Sequence, residues 1–252
     1  MTSIRTALAA GLILLGSAFP AMAAGGAAPG RTEIEGIVRD YLVAHPEVIE
    51  EALAALQDKH QADQKARQAE TIAGLAPKLF SSEHQAILGN PDGKVTLVEF
   101  FDYNCGYCRR AESDLTALIE ANPDLRVVMK EFPILSEGSV EAARVSVAVE
   151  KLAPQSYGQF HTELFARPGP ASGEKAMAVA KDLGLDGSAL TEAANRKDVT
   201  DNFIETQDLA RALGISGTPS YVIGGEVVPG AIGYDALKQK VASVRTCGAS
   251  TC

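Results

Sequence analysis

Val95-Thr96-Leu97-Val98-Glu99-Phe100-Phe101, followed by Cys105-Gly106-Tyr107-Cys108, decides the fold of this chain. The first seven residues are β-branched, leucine or aromatic except for one glutamate, the composition of a buried strand. Two cysteines two residues apart then open a stretch with Leu115, Leu118 and Ile119 at helical spacing, ending at Asn122-Pro123. A dithiol where a strand hands over to a helix reads as a redox pair. The helix N-terminus presents unpaired N–H groups and a partial positive charge, which stabilise a thiolate and make Cys105 the attacking sulfur. Cys108, one turn on, can close a disulfide on Cys105 and release a trapped mixed disulfide.

Working outward, Leu125 to Phe132 is a second strand, so strand, helix and strand form a βαβ unit with a right-handed crossover. Helical stretches follow from about Ser139 to Leu152, Tyr157 to Ala166, Glu174 to Leu183 and Val199 to Leu213. Ser220–Ile223, Gly224-Gly225 and Glu226–Val228 form a hairpin. A last amphipathic helix carries Leu237, Val241 and Val244. The order is βαβ, helical insert, ββα, an α/β fold.

Upstream lies a helical arm. Thr32-Glu33-Ile34-Glu35 has the form of a capping box, and Ile34, Ile37, Val38, Tyr41 and Leu42 follow at helical spacing until His45-Pro46 interrupts. A second helix carries Ile49, Leu53 and Leu56, and Gln57–Thr71 is a polar connector whose only apolar residues are alanines. Two short apolar stripes without a thick core suit an oligomerisation stalk, or helices packed back on their own domain. Before the arm, Arg5, an apolar run from Ala7 to Gly16 and Ala21-Met22-Ala23 read as a cleaved secretory signal. Export opens a compartment that permits disulfides. The expected division is 1–23 signal peptide, 24–80 arm, 81–246 catalytic domain with its insert at about 136–213, and a 247–252 tail.

Composition narrows the function. The 252 residues carry a net charge of −9, which argues against a nucleic-acid or anionic-membrane binder. Four cysteines are too few to knit a disulfide scaffold of this size. A zinc site would need two ligands beyond Cys105 and Cys108. Cys247 and Cys252 lie at the far end, and His45, His60, His84 and His161 show no paired ligand spacing with them. An inert structural disulfide is the bland alternative.

Gly217-Thr218-Pro219-Ser220 stands immediately before the hairpin, and with the CxxC it resembles the thioredoxin superfamily. That resemblance implies a cis Pro219 facing the CxxC, with Thr218 contacting the active-site sulfurs and a bound substrate strand. Read without the family, Pro219 is a trans turn proline. Val228-Pro229-Gly230-Ala231 resembles the family's turn before its last helix. Glu99 shares a strand face with Leu97 and Phe101, so it can lie buried beneath the dithiol, its proton affinity raised, and exchange a proton with Cys108. DsbA-family proteins have a glutamate at the equivalent point. Lys130, late in the neighbouring strand, is a candidate partner for Glu99; a solvated edge charge is the bland reading of Glu99.

The helical insert resembles DsbA-type proteins, while Gly106-Tyr107 with Thr218-Pro219 resembles the DsbC-type periplasmic isomerases. The whole arrangement is most similar to the suppressor-of-copper-sensitivity protein C family and its Com1-like relatives. The resemblance implies a thioredoxin fold behind an oligomerising arm, trimeric or dimeric. It also implies periplasmic work on unfolded or misoxidised secreted proteins, with a membrane redox partner: a DsbD/ScsB-like reductant for an isomerase, a DsbB-like oxidant for an oxidase. No cofactor beyond the Cys105–Cys108 disulfide and no nucleic-acid partner is expected. Isomerase or reductase is the leading reading, disulfide oxidase the close alternative. Copper handling through Cu(I)–thiolate ligation is a third, although Met129, Met177 and the scattered histidines make no copper relay. Cys247 and Cys252 can close a local disulfide, hang as free thiols or form a second pair.

Overall fold

The computed structural model describes residues 30–252; the signal-peptide reading of residues 1–23 lies outside them. Contacts divide these residues into two units that meet in sequence between Leu56 and Gln57. In the first, α1 (Arg31–Ala44) has no buried residue. Its N-cap is Gly30, without a side-chain cap, so the expected capping box does not form. The helix begins two residues earlier than that box requires, Thr32 lies inside it, and Glu35 pairs with Arg31 at 2.9 Å instead. His45 ends α1, as the following proline demands. The next helix, α2 (Glu47–Gly74), is continuous, and the polar stretch expected as a connector is its middle.

In the second unit, a five-stranded sheet has the order β1-β3-β2-β4-β5. The strands are β1 (Ala86–Gly89), β2 (Val95–Phe101), β3 (Leu125–Glu131), β4 (Ser220–Ile223) and β5 (Glu226–Pro229). β2 and β3 are parallel; every other pairing is antiparallel. Between β2 and β3 runs α4 (Gly106–Ala121), which buries Ala111, Leu115 and Leu118 along one stripe and stops at Asn122-Pro123. The insert comprises α5 (Glu137–Leu152), α6 (Pro154–Ala166), α7 (Gly173–Asp182) and α8 (Gly187–Ala194), and α9 (Lys197–Leu213) leads back to the sheet. Ser136, Ser172 and Asp186 cap α5, α7 and α8 through side-chain oxygens.

Strand alternation sorts two cores. Leu97, Phe101, Val127 and Met129 face α4, the insert and α10 (Tyr234–Cys247). Val98, Phe100 and Val128 face the other way, against Leu209 and Leu213 of α9, Leu79 of α3 (Ala76–Phe80) and Ile72 of α2. The catalytic unit therefore begins well before residue 81, because Ile72 and Leu79 are part of its core. One residue of α2, Gln68, accepts the N–H of Val227 on the outer edge of β5 at 3.0 Å.

The two tail cysteines are joined to each other, with Cα atoms 6.2 Å apart. Their loop lies over the β4–β5 turn, where a Cβ on Gly224 (φ +55°) would come within 2.5 Å of the Ser250 nitrogen. Glycine is required there both by that approach and by its backbone conformation.

Candidate active site

Cys105 is the N-cap of α4, and its sulfur accepts the N–H of Cys108 at 3.3 Å. The thiol in turn donates to the carbonyl oxygen of Thr218 at 3.1 Å. The Thr218–Pro219 peptide bond is cis. Thr218 thus meets the sulfur through its backbone, while its own hydroxyl is buried without a partner. Both active-site cysteines are free thiols; Cys105 is 6% exposed and Cys108 only 1%.

Between them, Gly106 has open space where a Cβ would stand, so packing does not dictate glycine. Tyr107 is 61% exposed, with the Arg110 guanidinium 4.2 Å from its ring centre. Tyr107, Thr218, Pro219, Ile215 and Ala231 line a cleft of about 550 Å³ that reaches to Gln68.

Beneath the dithiol the expected acid is in place. Glu99 is 4% exposed, and burial, with the negative fields of Glu112 and Cys105, raises its pKa well above the ordinary carboxylate value. Cys108 is likewise pushed far up, first by burial and then by Glu99. A buried acid beside a buried thiol, each holding its proton, can relay a proton once the acid has given its own away. Tyr221, directly across from Glu99 on β4, is buried with its hydroxyl unpartnered and its pKa raised by the same burial and by Glu99.

Lys130 is not the partner of Glu99. In the β2–β3 register Glu99 lies opposite Met129 and Lys130 opposite Phe100, so the two side chains leave opposite faces of the sheet. Lys130 is fully buried in the second core, donates to the Lys78 carbonyl at 2.8 Å and sits 3.4 Å from Glu205. Desolvation, partly offset by Glu205, lowers its pKa to about 8.

Four further groups shape the site and were not singled out from the sequence. Asp102 accepts the N–H of Asn104 at 2.7 Å and those of Ile134 and Leu135 at 2.9 and 3.0 Å, fixing the turn that delivers Cys105. Asn104 donates to Ser139 and exchanges two hydrogen bonds with the backbone of Ala171, tying the turn to the insert. Tyr103 and Glu112 meet His161 of α6 in the interior. The Asp102-x-Asn104 spacing ahead of the cysteine is a turn signature that the sequence does carry. Among the described residues no cluster of three or more His, Cys, Asp or Glu side chains is arranged to hold a metal, and no helix is long and apolar enough to cross a membrane.

Comparison with known proteins places these features in a family. Residues 96–242 match the DSBA-like thioredoxin domain, and residues 31–63 match the copper resistance protein ScsC N-terminal domain. The chain is 27% identical over 175 residues to disulfide bond formation protein D of Bacillus subtilis, covering 64% of this chain and 77% of that one. A thioredoxin-like oxidoreductase from Silicibacter pomeroyi superposes with a TM-score of 0.65 at 38% identity, over 68% of this chain and 98% of its own. Proteus mirabilis ScsC in a compact conformation gives 0.65 at 30% identity, over 86% and 99%. The chain therefore belongs to the DsbA-like thiol–disulfide oxidoreductase family of thioredoxin fold, with an ScsC-type N-terminal domain ahead of the catalytic one.

Proposed function

We propose that this chain is a periplasmic disulfide isomerase or reductase that works from the dithiol state on misoxidised secreted proteins. The observation that carries the reading is the 3.1 Å approach of the Thr218 carbonyl to Cys105 Sγ. That contact is made by Cys105 as the donor thiol of a reduced dithiol, and no cationic residue stands between the cysteines to stabilise a thiolate strongly. A strong oxidant is one whose reduced thiolate is stabilised; this site withholds part of that stabilisation.

In the proposed cycle the Cys105 thiolate attacks one sulfur of a client disulfide. The client S–S bond breaks, a mixed disulfide forms, and the displaced client sulfur leaves as a thiolate. In isomerisation, a second client thiolate attacks the mixed disulfide, forming the new client bond and returning Cys105. In reduction, Glu99 first gives its proton to the displaced client thiolate; the resulting carboxylate takes the proton of Cys108, which attacks Cys105 Sγ, and the client leaves with two electrons while Cys105–Cys108 becomes the disulfide. A membrane-borne dithiol reductant then resets the pair.

The arm supports self-association. Ile34, Ile37, Val38, Tyr41 and Val43 of α1 and Ile49, Leu53 and Leu56 of α2 are exposed, eight apolar residues within one short segment. A second or third copy covering them would set catalytic domains around a common client.

The test is reactivation of scrambled ribonuclease by catalytic amounts of the full chain with a trace of reductant. Reactivation that disappears in Cys105→Ser, and falls when Ile37→Glu/Tyr41→Glu makes the chain monomeric, is the expected result. Failure to reactivate, with rapid oxidation of a reduced peptide instead, would replace the isomerase with an oxidase. Stoichiometric Cu(I) binding without either activity would replace both with a copper-handling role.

A further inference from the structure

The helical insert sends one buried ionisable side chain to the redox helix. His161 of α6 is 1% exposed, and both its ring nitrogens are engaged. Nε2 is 3.3 Å from Oε2 of Glu112, and Nδ1 is 3.0 Å from the hydroxyl of Tyr103, which lies 2.8 Å from Ser146 Oγ of α5. Phe101, Tyr157 and Phe165 pack around the ring with centroids 4.9 to 5.7 Å away. Tyr103 precedes Cys105 by two residues and Glu112 follows Cys108 by one helical turn, so this chain of contacts grips the CxxC from both sides.

Glu112 is itself nearly buried, with 11% of its side chain exposed. Its Oε1 accepts from Thr162 at 2.8 Å and from Thr116 at 3.3 Å. Burial opposes its ionisation, but the hydrogen bonds and charge of His161 and the two threonine donors outweigh burial and hold the carboxyl below its ordinary pKa. A fixed negative charge therefore stands on the redox helix. Its field reaches Glu99 and Tyr221, the two buried groups under the dithiol, and raises both.

We propose that His161 and Glu112 are positioning residues that set the reduction potential of the Cys105–Cys108 couple from the helical insert, holding it on the reducing side. The proposal rests on the redox reading of that pair and deepens it. The Glu112 carboxylate, held one helical turn beyond Cys108, sets a negative charge beside the charge that the reduced dithiol carries when it reacts. That repulsion weakens the reduced thiolate relative to the disulfide. His161 carries the arrangement because without its N–H the carboxylate, buried on a low-dielectric helix face, takes up a proton and the field is lost.

The experiment is the equilibrium of the full chain with glutathione, in which the Cys105–Cys108 disulfide and two glutathione thiols exchange with the dithiol and one glutathione disulfide. Glu112→Gln should move the equilibrium constant about three- to tenfold toward the dithiol, tenfold being about 30 mV. Glu112→Asp, which keeps the charge, should stay within about twofold of the parent, a span of about 9 mV. In a His161→Gln background the further effect of Glu112→Gln should fall to less than about twofold, because the charge is already gone. Thr162→Val, which removes one donor to Glu112 and leaves the ring contacts intact, should shift the constant in the same direction and supplies the answer if His161 variants do not fold. An unchanged constant in a normally melting Glu112→Gln protein, or the same shift with and without His161, overturns the proposal. A chain that never equilibrates with glutathione refutes the redox reading itself.

Discussion

Glu99 and Lys130 lie on neighbouring strands, one register position apart, and both are buried in the same sheet. They have opposite fates. Lys130, on the α9 face, has a carbonyl at 2.8 Å and a carboxylate at 3.4 Å, so its buried ammonium is compensated. Glu99, on the α4 face, has two thiols and a tyrosine hydroxyl for company and no cation. A buried charge with partners holds structure together, whereas a buried acid without them keeps its proton and has that proton to give. One step of strand parity separates the two roles.

That contrast can be broken at its most demanding point. Glu99→Gln should slow resolution of a Cys105 mixed disulfide at least about tenfold, followed by quenching and trapping the intermediate, because Gln can neither give a proton to the departing thiolate nor then take that of Cys108. An unchanged resolution rate removes Glu99 from the proton path. The same variant sharpens the comparison through stability. The folded-state pKa of Glu99 lies above its unfolded value of 4.5, so stability is fully present below 4.5 and is lost as pH rises through the folded value. Glu99→Gln should therefore melt increasingly above the parent as pH rises from 4.5, and a gap that shrinks over that range would contradict the assignment.

Next in size is the other face. Lys130→Ala removes a fully buried stem and should cost about 2 kcal/mol in denaturant unfolding, with exchange activity per folded molecule unchanged within about twofold. Lys130→Met should recover most of that stability. A loss of exchange in Lys130→Met would mean that the two faces communicate after all. The smallest effect belongs to the tail: Cys252→Ser opens a short loop and should cost no more than about 2 kcal/mol, leaving the exchange rate as it was. A change in that rate would make the tail part of the redox chemistry.

Much of this was legible in the chain. The β2 segment, the dithiol and the Thr218-Pro219 loop carry strong local signals, and alternation alone placed Glu99 on the buried face beneath Cys105. The same rule, applied across two strands, needs the register, and register is a property of pairing that neither strand encodes by itself. That is why Lys130 was paired with the wrong face. β1 escaped notice because Ala-Ile-Leu-Gly is four residues long and owes its pairing to β3. α8, whose sequence Gly-Ser-Ala-Leu-Thr-Glu-Ala-Ala shows a single large apolar residue, is held by packing against α5. The contacts of Asp102 and His161 reach 32 and 58 residues along the chain, and a local reading has no access to them.

The Gln68–Val227 hydrogen bond has a consequence for colloidal behaviour. A sheet ends in two raw edges, each a template on which a foreign extended chain can crystallise. Here one edge is only four residues long, and at the other a glutamine amide from a helix occupies the N–H of Val227 where another strand would begin. An unblocked edge would be open to recruitment into the aggregates of other chains. Gln68 makes the β5 edge a dead end for that kind of growth.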